Sequence, residues 1–353
     1  MSLNRDLAVL FAGSHFPHAK RLRACDPMAG TGIRTARYLL ETPNVVHVVA
    51  GDSEDAATEV VQQTARMNGV EDRVTAVHAD AYTLLSNHVK DRFDLIDLDP
   101  FGSPAPFFES ALRATSTGGV IAATATDMGP LSGARQAACL RKYGVSSIRT
   151  EFEKEMAVRT LAGSLVSAAS RLELGITFAF SHTTDHYART YLVLNKGRKE
   201  ANQSLQNLGY VVYCPGCLLR GASQFISMMP NKCPNCGCAT RLGGPFWLGP
   251  LWHRQTVESM IRHTPALVSS RLTEVQTMLS LIEGEVDSPH FYYTTDSISS
   301  AYHVKPRSIA SLIESLRIRG FQASRTHFNP AGFRTNAPLS AIVASFRTSA
   351  EKT

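Results

Sequence analysis

The chain has 353 residues, 44% hydrophobic and 19% charged, the balance of a soluble globular protein with room for two domains. It contains no apolar run of about 18 residues, which excludes an ordinary membrane-spanning helix. The start, "MSLNRDLAVLF", lacks the cleavage pattern of an exported precursor, so a cytoplasmic setting is expected. The formal net charge is +6, and the excess of base over acid lies entirely after residue 200, which points to an anionic partner for the later part.

Over residues 1–200 short strands and helices alternate. "LRACDPMAG" reads as a strand entering a Gly-containing loop, and "GIRTARYLLE" as a helix. "VHVVAGD" is a strand, followed by a helix over "SEDAATEVVQQTARMNG" with Ser53 at its N-cap. "VTAVHADA" and "RFDLIDLD" are two more strands, "FFESALRATSTGG" a helix and "VIAATAT" a strand. A long helical pattern covers 151–174, and "ITFAFSHT" with "YARTYLVLNKG" reads as an antiparallel pair closing the sheet. This alternation predicts an α/β fold with a mostly parallel sheet covered on both faces.

The polar stretch at 195–209 marks a boundary between a catalytic domain over 1–200 and a basic domain over 201–353. Past it, "TVESMIRH", "RLTEVQTMLSLIEGEV" and "SIASLIESLRIRG" have helical period, and "AIVASFRT" reads as a strand. The second domain is therefore expected to be α+β.

Five of the seven cysteines fall between 214 and 238. "CPGC" and "CPNC" place Cys214, Cys217, Cys233 and Cys236 in two Cys-x2-Cys turns, fifteen residues apart, the spacing of a four-thiolate zinc site. Four thiolates leave no open coordination position, so the zinc is expected to be structural. Cys238 is left over.

Three strand ends then carry chemistry. The loop "DPMAGTG" begins at Asp26, and Gly30 and Gly32 allow the backbone a tight turn and close approach to a ligand. It is neither the full dinucleotide fingerprint nor a phosphate-binding P-loop. Asp52 ends the second strand, where a carboxylate can hold ribose hydroxyls, and Asp80 ends the third, followed by Ala81. The fourth strand runs into "DLDPFGSP", with Asp97 and Asp99 on one face by the period of two.

This order of motifs resembles the S-adenosylmethionine-dependent methyltransferases that act on exocyclic amino groups, with a Rossmann-like class I sheet. "LNRDLAVL", "GTGIRTAR", "DLDPFGSPAPF", "DHYARTY", the paired Cys-x2-Cys turns, "GPLW" and "THFNPAGFRTNAP" make it similar, over nearly the whole chain, to the tRNA (guanine-26 N2)-dimethyltransferase family. The resemblance implies methylation of guanine N2 in tRNA, with Arg5, Arg34, Asp52, Asp80 and Ala81 at the cofactor. It also sets Glu155 and Arg159 near the target base. The family carries an extended segment with Tyr-Asn-Pro before Asn-Arg-Asp; here Asn4-Arg5-Asp6 stand close to the start, either because the copy is short or because a segment has been removed. The family's Lys-Thr near "THF" is Arg334-Thr335 here.

Chemistry assigns roles within "DLDPFGSP". Guanine N2 is a poor nucleophile because its lone pair is delocalised into the ring. Asp99 can accept an N–H from it, and the Pro100 carbonyl can accept the other. Phe101 can stack on a base that has left the RNA helix. Asp97 is expected to support the site or to pair with Arg159. His182, Asp185, His186 and Arg189 cluster without metal spacing. Lys305, Arg307, Arg317, Arg319, Arg325, His327 and Arg334, interspersed with aromatics, are the expected tRNA surface. No obligate protein partner is evident, and a monomer is expected. The same motif suits another tRNA guanine or a DNA adenine; a catalytically inactive RNA-binding protein would be expected to have lost Asp99 or the cofactor loop.

Overall fold

The structure is a computed structural model that describes residues 2–17, 19–184 and 186–347. A seven-stranded sheet is built from β1 (Leu22–Asp26), β2 (Val45–Asp52), β3 (Val74–His78), β4 (Phe93–Leu98), β5 (Thr115–Ala125), β6 (Leu174–Thr184) and β7 (Tyr187–Lys196). Their order is β3-β2-β1-β4-β5-β7-β6, and β7 alone runs against its neighbours. The mostly parallel sheet with a closing antiparallel pair is thus as expected. Parallel neighbours point their carboxyl ends to one edge, so the Gly loop, Asp52, Asp80 and Asp99 share that edge.

Helices α1 (Ser2–His15), α2 (Ile33–Glu41), α3 (Asp55–Met67), α4 (Ala81–Asn87), α5 (Phe108–Ala114), α6 (Met128–Leu131), α7 (Gln136–Tyr143), α8 (Glu153–Ser170) and α9 (Arg198–Leu205) surround the sheet. The first differs from the sequence reading, which assigned "LNRDLAVL" no element. In α1 every residue from Leu3 to Ala12 except Arg5 is buried. A helix covered on nearly all sides shows no clean amphipathic stripe. Three boundaries also move. The α3 N-cap is Glu54 rather than Ser53, "TSTGG" belongs to β5, and the polar stretch after 195 contains α9, packed on β6 and α8.

The later part holds two small antiparallel sheets. β8 (Leu208–Tyr213), β9 (Arg220–Ser223) and β10 (Arg241–Trp247) form the first, and β11 (Tyr293–Thr294), β12 (Ala323–Arg325) and β13 (Gly332–Thr335) the second. Helices α10 (Arg254–His263), α11 (Leu272–Glu283), α12 (Thr295–Tyr302), α13 (Ile309–Ile318) and α14 (Leu339–Arg347) accompany them. The described part of "AIVASFRT", residues 341–347, is therefore helix, not strand. Its short apolar run fits either period; packing of α14 on α12 and α13 decides it.

The two parts share one apolar core. Helix α8 lies against β6 and β7 as well as β10, and α1 lies against α10. Gly163 in α8 permits this approach, since a Cβ there would sit 2.9 Å from the Pro245 carbonyl oxygen. Among the described residues no helix is long and apolar enough to cross a membrane.

Candidate active site and metal centre

The crevice at the carboxyl edge of the sheet is shaped first by glycine. Gly30 and Gly32 have φ of +53° and +70°, and a Cβ on Gly32 would come within 3.0 Å of the Val61 Cα. The Gly30 N–H donates to Asp52 Oδ2 at 2.9 Å and the Glu54 N–H to Asp52 Oδ1 at 3.1 Å. One carboxylate therefore holds the loop while staying partly exposed at the rim. Asp80 is the N-cap of α4, accepting from the Thr83 N–H at 3.0 Å and from Thr83 Oγ1 at 2.6 Å. The Thr83 hydroxyl leads the interactions that lower its pKa. Ala81 is buried directly behind it.

Asp26 needs a correction. It is 2% exposed and accepts from Thr35 Oγ1 at 3.0 Å, so it braces the loop from beneath and cannot touch a cofactor as placed. Burial, opposed by Arg34, pushes its carboxyl up to about 7. Arg5 is half-buried at the rim. Burial lowers its pKa first, then the neighbouring Arg34 and Arg37 guanidiniums, a concentration of positive charge suited to a carboxylate ligand.

At the end of β4 two carboxylates have different surroundings. Asp97 is fully buried; it accepts from Arg189 Nη1 at 2.9 Å and Nη2 at 2.7 Å, from Arg34 Nη1 at 3.0 Å and from the Tyr38 hydroxyl at 2.7 Å. Burial pushes its pKa up, but Arg189 and Arg34 outweigh it and hold the carboxyl at about 2. Asp97 is therefore a positioning residue rather than a catalytic one, and its partners are Arg189 and Arg34, not Arg159. Asp99 has one oxygen on Arg34 Nη2, while its Oδ1 is buried with no hydrogen-bond partner among the described residues. Arg34 thus ties both carboxylates and is itself only 7% exposed.

The turn that follows is fixed to the next strand end. The Gly102 N–H donates to Thr126 Oγ1 at 2.7 Å, and the Thr126 N–H returns a bond to the Gly102 carbonyl at 2.9 Å. Gly102 adopts φ of +92°, which favours glycine. Pro100 is buried and Phe101 projects fully into solvent, at 107% exposure. Beside this turn lies a cavity of about 250 Å³ whose lining includes Leu3, Asn4, Thr126, Thr184 and Tyr187.

The cysteine reading is reproduced in space. The sulfurs of Cys214, Cys217, Cys233 and Cys236 all lie within 4.8 Å of one another, with Cys214 3.4 Å from Cys236 and Cys217 3.4 Å from Cys233. Zinc–sulfur bonds of about 2.3 Å in a tetrahedron separate sulfurs by about 3.8 Å, so the set fits zinc. The turns form through Leu218 N–H to the Cys214 carbonyl and Gly237 N–H to the Cys233 carbonyl, each 2.9 Å. Cys238 lies outside the set and is exposed.

The expected tRNA residues divide. Lys305, Arg317, Arg319 and Arg325 are exposed, and Arg307 is half-buried with Nε on Ser311 Oγ at 2.9 Å. Arg319 also binds the Ala341 carbonyl and Ser345 Oγ, each at 3.1 Å, tying α13 to α14. Arg334 and His327 are corrections, because both side chains are 1% exposed and cannot meet phosphate. Arg334 Nε donates to Glu285 Oε2 at 2.6 Å and its Nη2 lies 3.0 Å from Glu155 Oε2; His327 Nδ1 is 2.6 Å from Glu285 Oε1. Glu155 also accepts from Arg159 Nε at 2.9 Å and from the Phe291 N–H at 3.1 Å. Glu155 and Arg159 therefore join this buried network, which binds α8 to the later part, instead of facing the target base.

A model of the N2,N2-dimethylguanosine tRNA methyltransferase family matches residues 1–347. The chain belongs to this family. It is 34% identical over 356 residues to the tRNA (guanine(26)-N(2))-dimethyltransferase of Pyrococcus abyssi, covering 97% of this chain and 90% of that one. The enzyme of the same name from Methanosphaera stadtmanae is 33% identical over 341 residues, covering 96% and 87%. Among solved structures, the complex of Trm1 from Pyrococcus horikoshii with S-adenosyl-L-methionine is similar at a TM-score of 0.88 and 31% identity, covering 98% of this chain and 92% of that one.

Set in this family member, the site contains residues that the sequence reading passed over. Arg189 stood in "DHYARTY" and in a cluster without metal spacing, with no role assigned, yet it is the principal partner of Asp97. His182 of that cluster is buried, His186 is exposed, and Asp185 lies outside the described residues. Asn4 and Tyr187 stood within "LNRDLAVL" and "DHYARTY" without a role of their own, and Tyr38 and Thr126 had no local signal. Each is defined by what the fold brings beside it.

Proposed function

We infer that this chain methylates the exocyclic N2 of guanine 26 in tRNA with S-adenosylmethionine as donor. The observation that carries this is Asp99: a carboxylate held by Arg34 at the end of β4, followed by Pro100 and an exposed Phe101, beside a crevice built for a nucleoside. S-adenosylmethionine supplies an electrophilic methyl group on sulfur. In this reading Asp52 takes the ribose hydroxyls, Asp80 and Ala81 the adenine, and Arg5 the methionine carboxylate. Gly30 and Gly32 bring the backbone close to the ligand.

Asp99 accepts one N–H of the target amine and the Pro100 carbonyl the other, which turns the nitrogen lone pair toward the methyl group. As the N–C bond forms, the methyl–sulfur bond breaks and its electron pair returns to sulfur. The proton then leaves nitrogen by way of Asp99. Phe101 offers its free face to the flipped base. Arg34, shared by Asp97 and Asp99, keeps the acceptor in place.

Zinc on the four cysteines is structural, and Lys305, Arg317, Arg319 and Arg325 supply positive charge for the tRNA backbone. Cysteines kept as thiolates for zinc favour a reducing, cytoplasmic setting. Addition of a second methyl belongs to the same reading. Incubation with labelled S-adenosylmethionine and unmodified tRNA, followed by nucleoside analysis, is expected to yield N2-methylguanosine and N2,N2-dimethylguanosine at position 26. Label at another nucleoside, or none, overturns the reading.

A further inference from the structure

Asn4 and Asp99 stand at two ends of one guanidinium. Arg34 donates through Nη1 to Asn4 Oδ1 at 3.0 Å and through Nη2 to Asp99 Oδ2. Because Asn4 Oδ1 is committed to that donor, the orientation of its amide is set and Nδ2 is the group left over. Nδ2 is buried and has no hydrogen-bond partner among the described residues. Asp99 Oδ1 is also buried without a hydrogen-bond partner among the described residues, and the Tyr187 hydroxyl lies beside Thr184. A buried polar group left unmade costs about 1–3 kcal/mol. An unmade donor that lines a space, with an unmade acceptor at the other end of the same guanidinium, marks a ligand that completes them.

The space is the cavity of about 250 Å³ lined by Leu3, Asn4, Thr126, Thr184 and Tyr187 among others. Thr126 is bonded to Gly102 in both directions, so the cavity opens next to the Asp99-Pro100-Phe101 turn. We propose that this cavity receives the target base and that Asn4 is a specificity-determining residue, its amide N–H2 donating to guanine O6. The proposal rests on the function inferred above and adds how the site chooses its base.

The atoms of guanine fit this order. With N2 at Asp99, the ring N1–H lies next to it on the same edge, where the free Asp99 Oδ1 can accept it, and O6 lies at the far end. A donor is required there. Asn4 Oδ1 is already taken, so the amide offers hydrogen only. A purine with an amino group at position 6 would oppose N–H to N–H and leave both unpaired. The Tyr187 hydroxyl can donate or accept, so it holds a base without choosing between the two.

The test uses two tRNAs differing at one position: guanosine 26, or 2,6-diaminopurine riboside 26, which keeps the 2-amino group and replaces O6 by an amine. The wild-type chain is expected to favour guanosine in kcat/KM by about 10- to 100-fold, the discrimination of a well-placed hydrogen bond. Asn4→Ala should lower the ratio about tenfold without bringing it to one, because N1 of diaminopurine carries no hydrogen for Asp99 Oδ1, and Asn4→Asp, which sets an acceptor in place of the donor, should lower it further. Calorimetric binding of S-adenosylmethionine reports that each variant keeps its crevice. Equal use of both tRNAs by the wild-type chain overturns the proposal, as does a wild-type ratio in both variants. Failure of the wild-type chain to methylate guanosine 26 at all would instead remove the functional reading beneath it.

Discussion

Asp97 and Asp99 lie two residues apart on one strand, and burial separates their roles. Asp97 accepts four hydrogen bonds and faces no solvent, whereas Asp99 keeps one oxygen unmade beside an open turn. Phe101, immediately beyond, is fully exposed in a chain whose other aromatic side chains are mostly covered. Two replacements follow from this contrast. Asp99→Ala should lower the single-turnover rate of methyl transfer by about 10²- to 10⁴-fold while tRNA affinity stays nearly unchanged; parallel loss of both would remove its role in the chemistry. Phe101→Ala should reduce turnover by about 10- to 100-fold through lost stacking. Since no folded-state packing is removed, its unfolding free energy should stay within about 0.5 kcal/mol of the parent.

At the scale of elements, helix α8 and the segment carrying Arg334 are joined by charge as well as by apolar packing. Arg334 lies between Glu155 and Glu285, and removing it leaves Glu155 with Arg159 as its one remaining guanidinium and Glu285 with none among the described residues. Arg334→Met should cost about 3–5 kcal/mol in denaturant unfolding, far more than loss of a surface phosphate contact. The same network makes an acid-sensitivity prediction. Burial pushes Glu155 up, but Arg334 and Arg159 bring it to about 2 from an ordinary 4.5, while Asp97 stands at about 2 against 3.8. Both carboxyls are depressed on folding, so their contribution is fully present above pH 4.5. It is lost as the pH falls toward 2. Denaturant midpoints taken at intervals from pH 6 to pH 2.5 should begin to fall as the buried His15 and His290, lowered to about 4 and about 3, resist protonation, and should keep falling below pH 4.5; a profile flat below pH 4.5 would contradict the buried pairing.

Elements also show where sequence patterns run out. The parallel strands and α8 were legible because burial on both faces of a sheet, and a long apolar period, leave local marks. Helix α1 left no such mark because nearly all of its sides are covered, and "AIVASFRT" is too short to distinguish a strand from α14. Ser53 met the rule for an N-cap, but Asp52 at the strand end takes the Glu54 N–H instead.

Across the whole molecule, the cofactor crevice and the exposed basic residues of the later part belong to one body with a shared core, and the zinc cysteines form a small buried cluster of their own beside it. The zinc turns are fastened to it where the Tyr302 hydroxyl donates to the Cys217 carbonyl at 2.9 Å. A substrate that reaches from the crevice to Lys305 and Arg317 would therefore meet a fixed frame. Lys305→Gln and Arg317→Gln should each lower the salt dependence of tRNA binding, log K against log salt, by about one unit of slope per lost phosphate contact. An unchanged slope would take these residues off the backbone surface.

Sequence by itself determined what depends on near neighbours. The glycine loop, the acidic strand ends, Asp99-Pro100-Phe101 and the paired Cys-x2-Cys turns are each written within a few consecutive residues, and their chemistry follows from that spacing. Tertiary structure alone decided which charges face water. Asp97 finds Arg189 across 92 positions, and Glu155 finds the Phe291 N–H across 136. Arg334 and His327, basic by composition, were withdrawn from the surface by Glu285. The reason is electrostatic: a charge can be buried only where an opposite charge and enough hydrogen bonds meet it, and those partners come from distant segments that no local pattern connects.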